Sequence, residues 1–153
     1  MERHAPTPRL VVGYDGSPSS LAAVTEAARR AGPAGRLIVV HAFEPPSEAL
    51  GWPLYENAAR DAAIGAQRFV DRLRGHPVLE GVQWTSDVVA GPTAEVIVAA
   101  ARNHDADAIY IGSRGAGRAS ALLGSVAHDV LHRADRPVTV ITERAAERAT
   151  AAA

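Results

Sequence analysis

The stretch that decides the fold runs from Ala108 to His128, AIYIGSRGAGRASALLGSVAH. It opens on a β-branched run, Ala108 to Ile111, and closes on a helix-like segment from Val126 to Ala134. Between them, Gly112 to His128 holds four glycines, three serines and two arginines. Regular structure does not ask for so much bare backbone, since each glycine costs roughly 0.5–1 kcal/mol relative to alanine inside an element. A strand that passes through a glycine-rich turn into a helix reads as half of a βαβ unit, with room for something to approach the backbone.

Working outward, the same alternation repeats. Arg9 to Tyr14 is a strand that Asp15-Gly16-Ser17-Pro18 ends. Ser17 reads as an N-cap with Pro18 at the first helical position. Leu21, Val24 and Ala28 then follow at helical spacing, and Gly32-Pro33 stops the helix. Leu37 to Ala42 is apolar but for His41, as a strand covered on both faces should be. Phe43 to Tyr55 carries three prolines and reads as a long loop, in which Trp52 and Pro53 either cover a site or seal the loop. Glu56 to Arg74 reads as a helix with Ala59, Ala63, Ala66, Val70 and Leu73 on one side. Val82 to Val89 alternates more than the others, so this strand is expected nearer an edge. Gly91-Pro92-Thr93 turns into a helix through Ala101, and Pro137 to Ile141 is the last strand.

The order β-α-β-α-β-α-β-α-β predicts a single-domain, doubly wound α/β fold with a parallel sheet and helices on both faces. The domain spans residues 9–142, after a short extension at 1–8. The alanine- and arginine-rich residues 143–153 are expected to be a disordered tail. Right-handed crossovers place the strand C-termini on one edge, where such sheets bind ligands. Asp15, Ala42 and Gly112 all fall at those ends.

Composition narrows the chemistry. At 153 residues the chain is most simply one domain. With 47% hydrophobic and 22% charged residues it is globular in composition. A net charge of −1 argues against a protein that neutralises nucleic-acid phosphates. No apolar run is long enough to span a membrane, and Met1 to His4 leads into no signal-peptide core, so a cytoplasmic protein without membrane attachment is expected. The absence of cysteine removes thiolate and zinc–thiolate chemistry. All 16 basic residues are arginine, which rules out a Walker lysine and Schiff-base chemistry. Any phosphate must be held by backbone N–H groups, hydroxyls or arginine.

Val11-Val-Gly-Tyr-Asp15 with the Ser-Pro-Ser that follows resembles the first strand and turn of the universal stress protein family. Gly112-Ser-Arg-Gly115, a small-residue stretch, and Gly124-Ser125-Val126 resemble that family's glycine-rich ATP motif. The resemblance runs from about Arg9 to Ile141. It implies a five-stranded sheet of order 3-2-1-4-5, an ATP site with or without Mg²⁺, and a homodimer through the last strand (Val138, Thr139, Val140 and Ile141). It puts Asp15 by the adenosine, with Gly13 and Tyr14 lining the approach. Ala42 would lie at the adenine, Ile111 and Gly112 beside the ribose, and Gly115 against the phosphates. Gly124, Ser125 and Val126 would offer N–H groups to the phosphate chain, as a helix N-terminus does by its own physics. One departure stands out. ATP-binding members place nine residues between the last two motif glycines, whereas Gly115 and Gly124 are separated by Ala116 to Leu123, one fewer. One residue of reach is up to ~3.5 Å.

Other motifs read more plainly. His128-Asp-Val-Leu-His132 has the spacing of a metal clamp but shows no third ligand. A stripe of Val126, Val130, Leu131 and Ala134 would leave both histidines facing solvent. No Gly-x-Ser-x-Gly elbow occurs. Gly115-Ala-Gly117 lacks the third glycine of a dinucleotide fingerprint. His41 reads as a hydrogen-bonded core histidine, and Asp15 either caps its own turn or serves the site. Arg114 and Arg118 either reach phosphates or are solvated. The expected function is a regulatory ATP-binding module with at most slow hydrolysis. The alternatives are a nucleotide-independent dimeric scaffold or a slow nucleotide hydrolase.

Overall fold

The computed structural model describes residues 7–114 and 123–151. Five strands, β1 (Arg9–Gly13), β2 (Arg36–Phe43), β3 (Gln83–Ala90), β4 (Ala108–Gly112) and β5 (Val138–Ile141), form one sheet in the order β3-β2-β1-β4-β5. Every pairing is parallel. The order reverses between β1 and β4: successive crossovers run outward to β2 and β3 on one side, and to β5 on the other. The expected α/β fold and strand order are those observed.

Among the described residues five α-helices connect or follow the strands: α1 (Pro18–Ala31), α2 (Leu54–Asp71), α3 (Thr93–Asn103), α4 (Ser125–Arg133) and α5 (Glu143–Ala151). The side-chain period of two in each strand sorts the core into two layers. Leu10, Val12, Leu37, Val39 and Tyr110 pack with Val24, Ala27, Ala28 and Ala31 of α1, with Val70 of α2 and with Leu73 just after it. Val11, Ile38, Val40, Ile109 and Ile111 pack with Ile97 and Ala101 of α3 and with Ala127 and Val130 of α4. Burying strands on both faces requires apolar runs without alternation, which β1 and β2 supply. β3 and β5 lie at the two edges and are only partly buried.

Three details differ from expectation. Residues 143–151 form helix α5, which lies against α1, where a disordered tail was expected. On α4 the buried residues are Ala127 and Val130, while Val126 and Leu131 are 38% and 45% exposed. Apolar residues at 126, 127, 130, 131 and 134 fit two helical stripes a step apart, and the one led by Ala127 faces the sheet. On α2, Ala63 is exposed, Ala59 is half-buried, and only Ala66 and Val70 are buried within the helix.

Candidate functional site

The C-terminal ends of β1, β2 and β4 and the N-termini of α3 and α4 converge on one cleft at the switch in strand order. Gly13, Tyr14, Asp15, Ala42, Ile111, Gly112, Arg114, Gly124, Ser125 and Val126 all line it. Gly115 lies outside the described residues, as do residues 116–122, Arg118 among them. Seven further lining residues, Ser20, Val40, His41, Thr93, Ile97, Ser113 and Ala127, had not been singled out for a site. Thr93 was within reach of a sequence argument, because a turn that ends β3 must open α3 on the same edge. Ile97 follows one helical turn later.

The floor is apolar, with Val40, Ala42, Ile97, Ile111 and Ala127 presenting a wall suited to a flat ring. The rim is polar. Gly124 is the N-cap residue of α4 and Pro92 that of α3, and neither helix has a side-chain cap. Their first-turn N–H groups therefore keep the positive end of the helix dipole without a side-chain acceptor. Gly124 is fixed in place by its N–H, which donates to Ser113 O at 2.8 Å. Ser113 N–H in turn donates to Ile141 O at 2.8 Å.

Helix α1, by contrast, has a side-chain cap. Ser17 Oγ accepts from Ser20 N–H at 3.2 Å, and Asp15 Oδ1 accepts from Ser17 N–H at 2.9 Å. The Ser17 and Ser19 hydroxyls donate to Arg114 O at 3.3 and 2.5 Å, tying the end of the fourth strand to the first helix. Both readings of Asp15 hold as geometry: it caps the turn and it lines the cleft. It supplies the single carboxylate among the described lining residues. The Arg114 guanidinium lies 3.7 Å from the Glu143 carboxylate of α5.

Gly112 serves packing. A β-carbon there would meet Ser19 Oγ at 2.6 Å and the Ser19 and Ser20 backbone at 2.7 Å, so the first turn of α1 demands this glycine, ligand or not. Behind the β1 end, His41 Nδ1 donates to Tyr14 O at 2.9 Å; a carbonyl only accepts, so the proton sits on that nitrogen. Phe69 of α2 stacks on Tyr14 and touches His41, with ring centroids 5.4 and 4.7 Å away. It also closes over Gly16, whose φ of +81° suits glycine. Burial, and then the neighbouring Asp15 charge, push the Tyr14 hydroxyl pKa up, against a smaller opposing effect of Arg72. His41 is hydrogen-bonded, as its sequence context suggests, but it is partly buried at the cleft, where a core position is expected from the sequence.

His128 and His132 are solvent-exposed, as expected. Among the described residues no group of three or more metal-ligating side chains forms, and no helix is long and apolar enough to cross a membrane.

The universal stress protein family model matches residues 7–142. A universal stress protein of Thermus aquaticus, encoded in the QAH/OAS sulfhydrylase 3′ region, is 35% identical over 86% of this chain and 96% of its own length. A universal stress protein of Mycobacterium tuberculosis H37Rv is 34% identical over 88% of this chain, which spans about half (48%) of that relative. Among solved structures, the hypothetical protein MJ0577 superposes with a TM-score of 0.78 at 20% identity, covering 90% of this chain and 97% of its own, a likeness of fold. A universal stress protein in complex with cAMP superposes with a TM-score of 0.61 at 28% identity, covering 91% and 99%.

Proposed function

The chain belongs to the universal stress protein family, and we propose that it is a regulatory module that binds an adenine nucleotide, ATP with or without Mg²⁺, in the cleft described above. The observation that carries this reading is the pairing of an apolar floor with two uncapped helix N-termini. A planar base fits the floor, and a polyanion fits the rim. That a relative 28% identical to this chain was solved in complex with cAMP supports the same ligand class.

The residues divide the task by chemistry. Val40, Ala42, Ile97 and Ile111 offer apolar contact to a base. Asp15 is placed to accept hydrogen bonds from ribose hydroxyls, or to share a cation with the phosphates, since Mg²⁺ is commonly held by one or two carboxylates plus phosphate oxygens. Ser125, Val126 and Ala127 direct backbone N–H groups to the phosphate side, each dipole contact worth about 0.3–1 kcal/mol and up to ~2 when partly buried. Gly115 is assigned to the phosphates by the motif alone. When bound, the nucleotide supplies a polyanion at the cleft mouth, and its presence or loss changes the surface shown to a partner. Homodimerisation through the edge strand β5 gives that surface a second copy.

A nucleotide-independent scaffold is the second reading, favoured by Gly112: that motif glycine is required by α1 whether or not a ligand binds. Two measurements separate the readings. Denaturing the purified protein should release adenine nucleotide, and calorimetric titration with ATP–Mg²⁺ should give saturable heat. Neither release nor heat at millimolar ATP leaves the scaffold. Ser125→Glu places a carboxylate at the α4 N-terminus, where it favours the helix but repels phosphates. ATP affinity should fall at least about tenfold with no loss of thermal stability; an unchanged affinity means the phosphates lie elsewhere.

A further inference from the structure

Helix α4 carries a second arrangement that neither the cleft nor the core uses. His128 and His132 stand one turn apart on its outer face, and their Nε2 atoms are 3.2 Å apart. The rings are tilted by 58° with centroids 4.4 Å apart, so they are not stacked face to face, and the two Nε2 atoms lie closer together than the ring centres do. Two imidazole lone pairs at that distance repel unless a proton or a cation lies between them. His128 Nδ1 is 3.6 Å from Asp129 Oδ1, so the carboxylate favours the proton on Nδ1 and leaves Nε2 as the donor of a lone pair. The His128 side chain is 62% exposed, and His132 is exposed too, so an ion with its waters can reach the pair.

We infer that His128 and His132 form a two-nitrogen surface site for a borderline divalent transition-metal ion such as Ni²⁺, Cu²⁺ or Zn²⁺. An ion ~2.0–2.1 Å from each nitrogen would see them at an angle of about 100°, between the square-planar and tetrahedral values. Imidazole suits Zn, Cu and Ni, whereas Mg²⁺ and Ca²⁺ prefer oxygen donors. No third protein ligand joins the pair among the described residues. Water completes the shell, and the ion is exchangeable, unlike one in a closed structural centre. The site rests on α4 alone and is independent of whether the cleft takes a nucleotide.

The test uses the full chain without a polyhistidine tag. NiCl₂ is titrated by calorimetry, and CuCl₂ by electron paramagnetic resonance. We expect one ion per chain, with Cu²⁺ showing two equatorial nitrogens. His128→Asn or His132→Asn should weaken binding at least about tenfold and leave one nitrogen, whereas Asp129→Asn should have a smaller effect through ring orientation. His4→Asn and His76→Asn should bind as the wild type does. Added NiCl₂ should raise the melting temperature of the wild type but not of either α4 histidine variant. Absence of uptake at millimolar NiCl₂, or equal affinity in the His132→Asn chain, overturns the proposal. So does loss of binding on removing His4 or His76, which would move the ion to another histidine.

Discussion

At Gly112 the crowding by Ser19 and Ser20 leaves no room for a methyl group. Gly112→Ala should cost about 1–3 kcal/mol, the usual range for overpacking, measured by urea unfolding of the nucleotide-free protein. A neutral result would mean that α1 shifts freely. Arg136 is a second residue on which distant segments depend. Its Nη1 donates to Ala101 O at 2.7 Å and Ala106 O at 2.8 Å, and its Nε donates to Asp135 at 2.8 Å, joining the end of α3 to the start of β5. Arg136→Met strips those carbonyls of a charged donor and should cost about 1–3 kcal/mol in the same assay. The Arg136 hydrogen bond, followed by the weaker one from Arg102, holds the Asp135 carboxyl down at about 2. A lowered folded-state pKa gives stability that is present above the ordinary aspartate range and lost as pH falls. The wild type should therefore lose this small contribution between about pH 4 and 2, and Asp135→Asn should flatten that part of the acid limb. Nothing in the one-dimensional chain marks Arg136 among 16 arginines, because its two carbonyl partners lie 35 and 30 positions away.

The helices show how far local signals reach. The Ser17 cap and Pro18 at the first position of α1 were legible because capping involves only four neighbouring residues. Ser17→Ala should cost about 1 kcal/mol, within a 0.5–2 range, as a lower urea midpoint with an unchanged slope. The cost should fall toward the upper end, because the hydroxyl also donates to Arg114 O. Helix α4 was legible in place but not in rotation. Its apolar residues fit two stripes, and contact with α3 and β5 decides between them. The rotation has a consequence for the site, since it turns Val126 toward the cleft mouth and leaves both histidines outside. Helix α5 is rich in alanine and arginine, a composition with high helix propensity that an isolated short segment cannot exploit. Its lie against α1 and the Arg114–Glu143 pair supply what the tail lacks alone.

For the whole molecule, the open question is what covers the β5 edge. Its residues are each only partly buried, and its outer edge has no strand neighbour among the described residues. An edge with that much apolar content invites pairing with its own copy. Sedimentation equilibrium at micromolar concentration should show a dimer; a monomer throughout removes the β5 interface. The strands, their parallel sense and the edge that gathers Asp15, Ala42 and Gly112 follow from the sequence, because short apolar strands alternating with helices admit few topologies, whereas the order 3-2-1-4-5 is what the family resemblance implied. Ten of the eleven site residues expected from the sequence stand around one cleft, and Gly115 lies outside the described residues. Tertiary structure alone decided why Gly112 is a glycine, which stripe of α4 is buried, and that Arg114 meets Glu143. The physical reason is range. Propensity, capping and periodicity act within a few residues, whereas a close approach or an ion pair depends on segments that meet only after the sheet has formed.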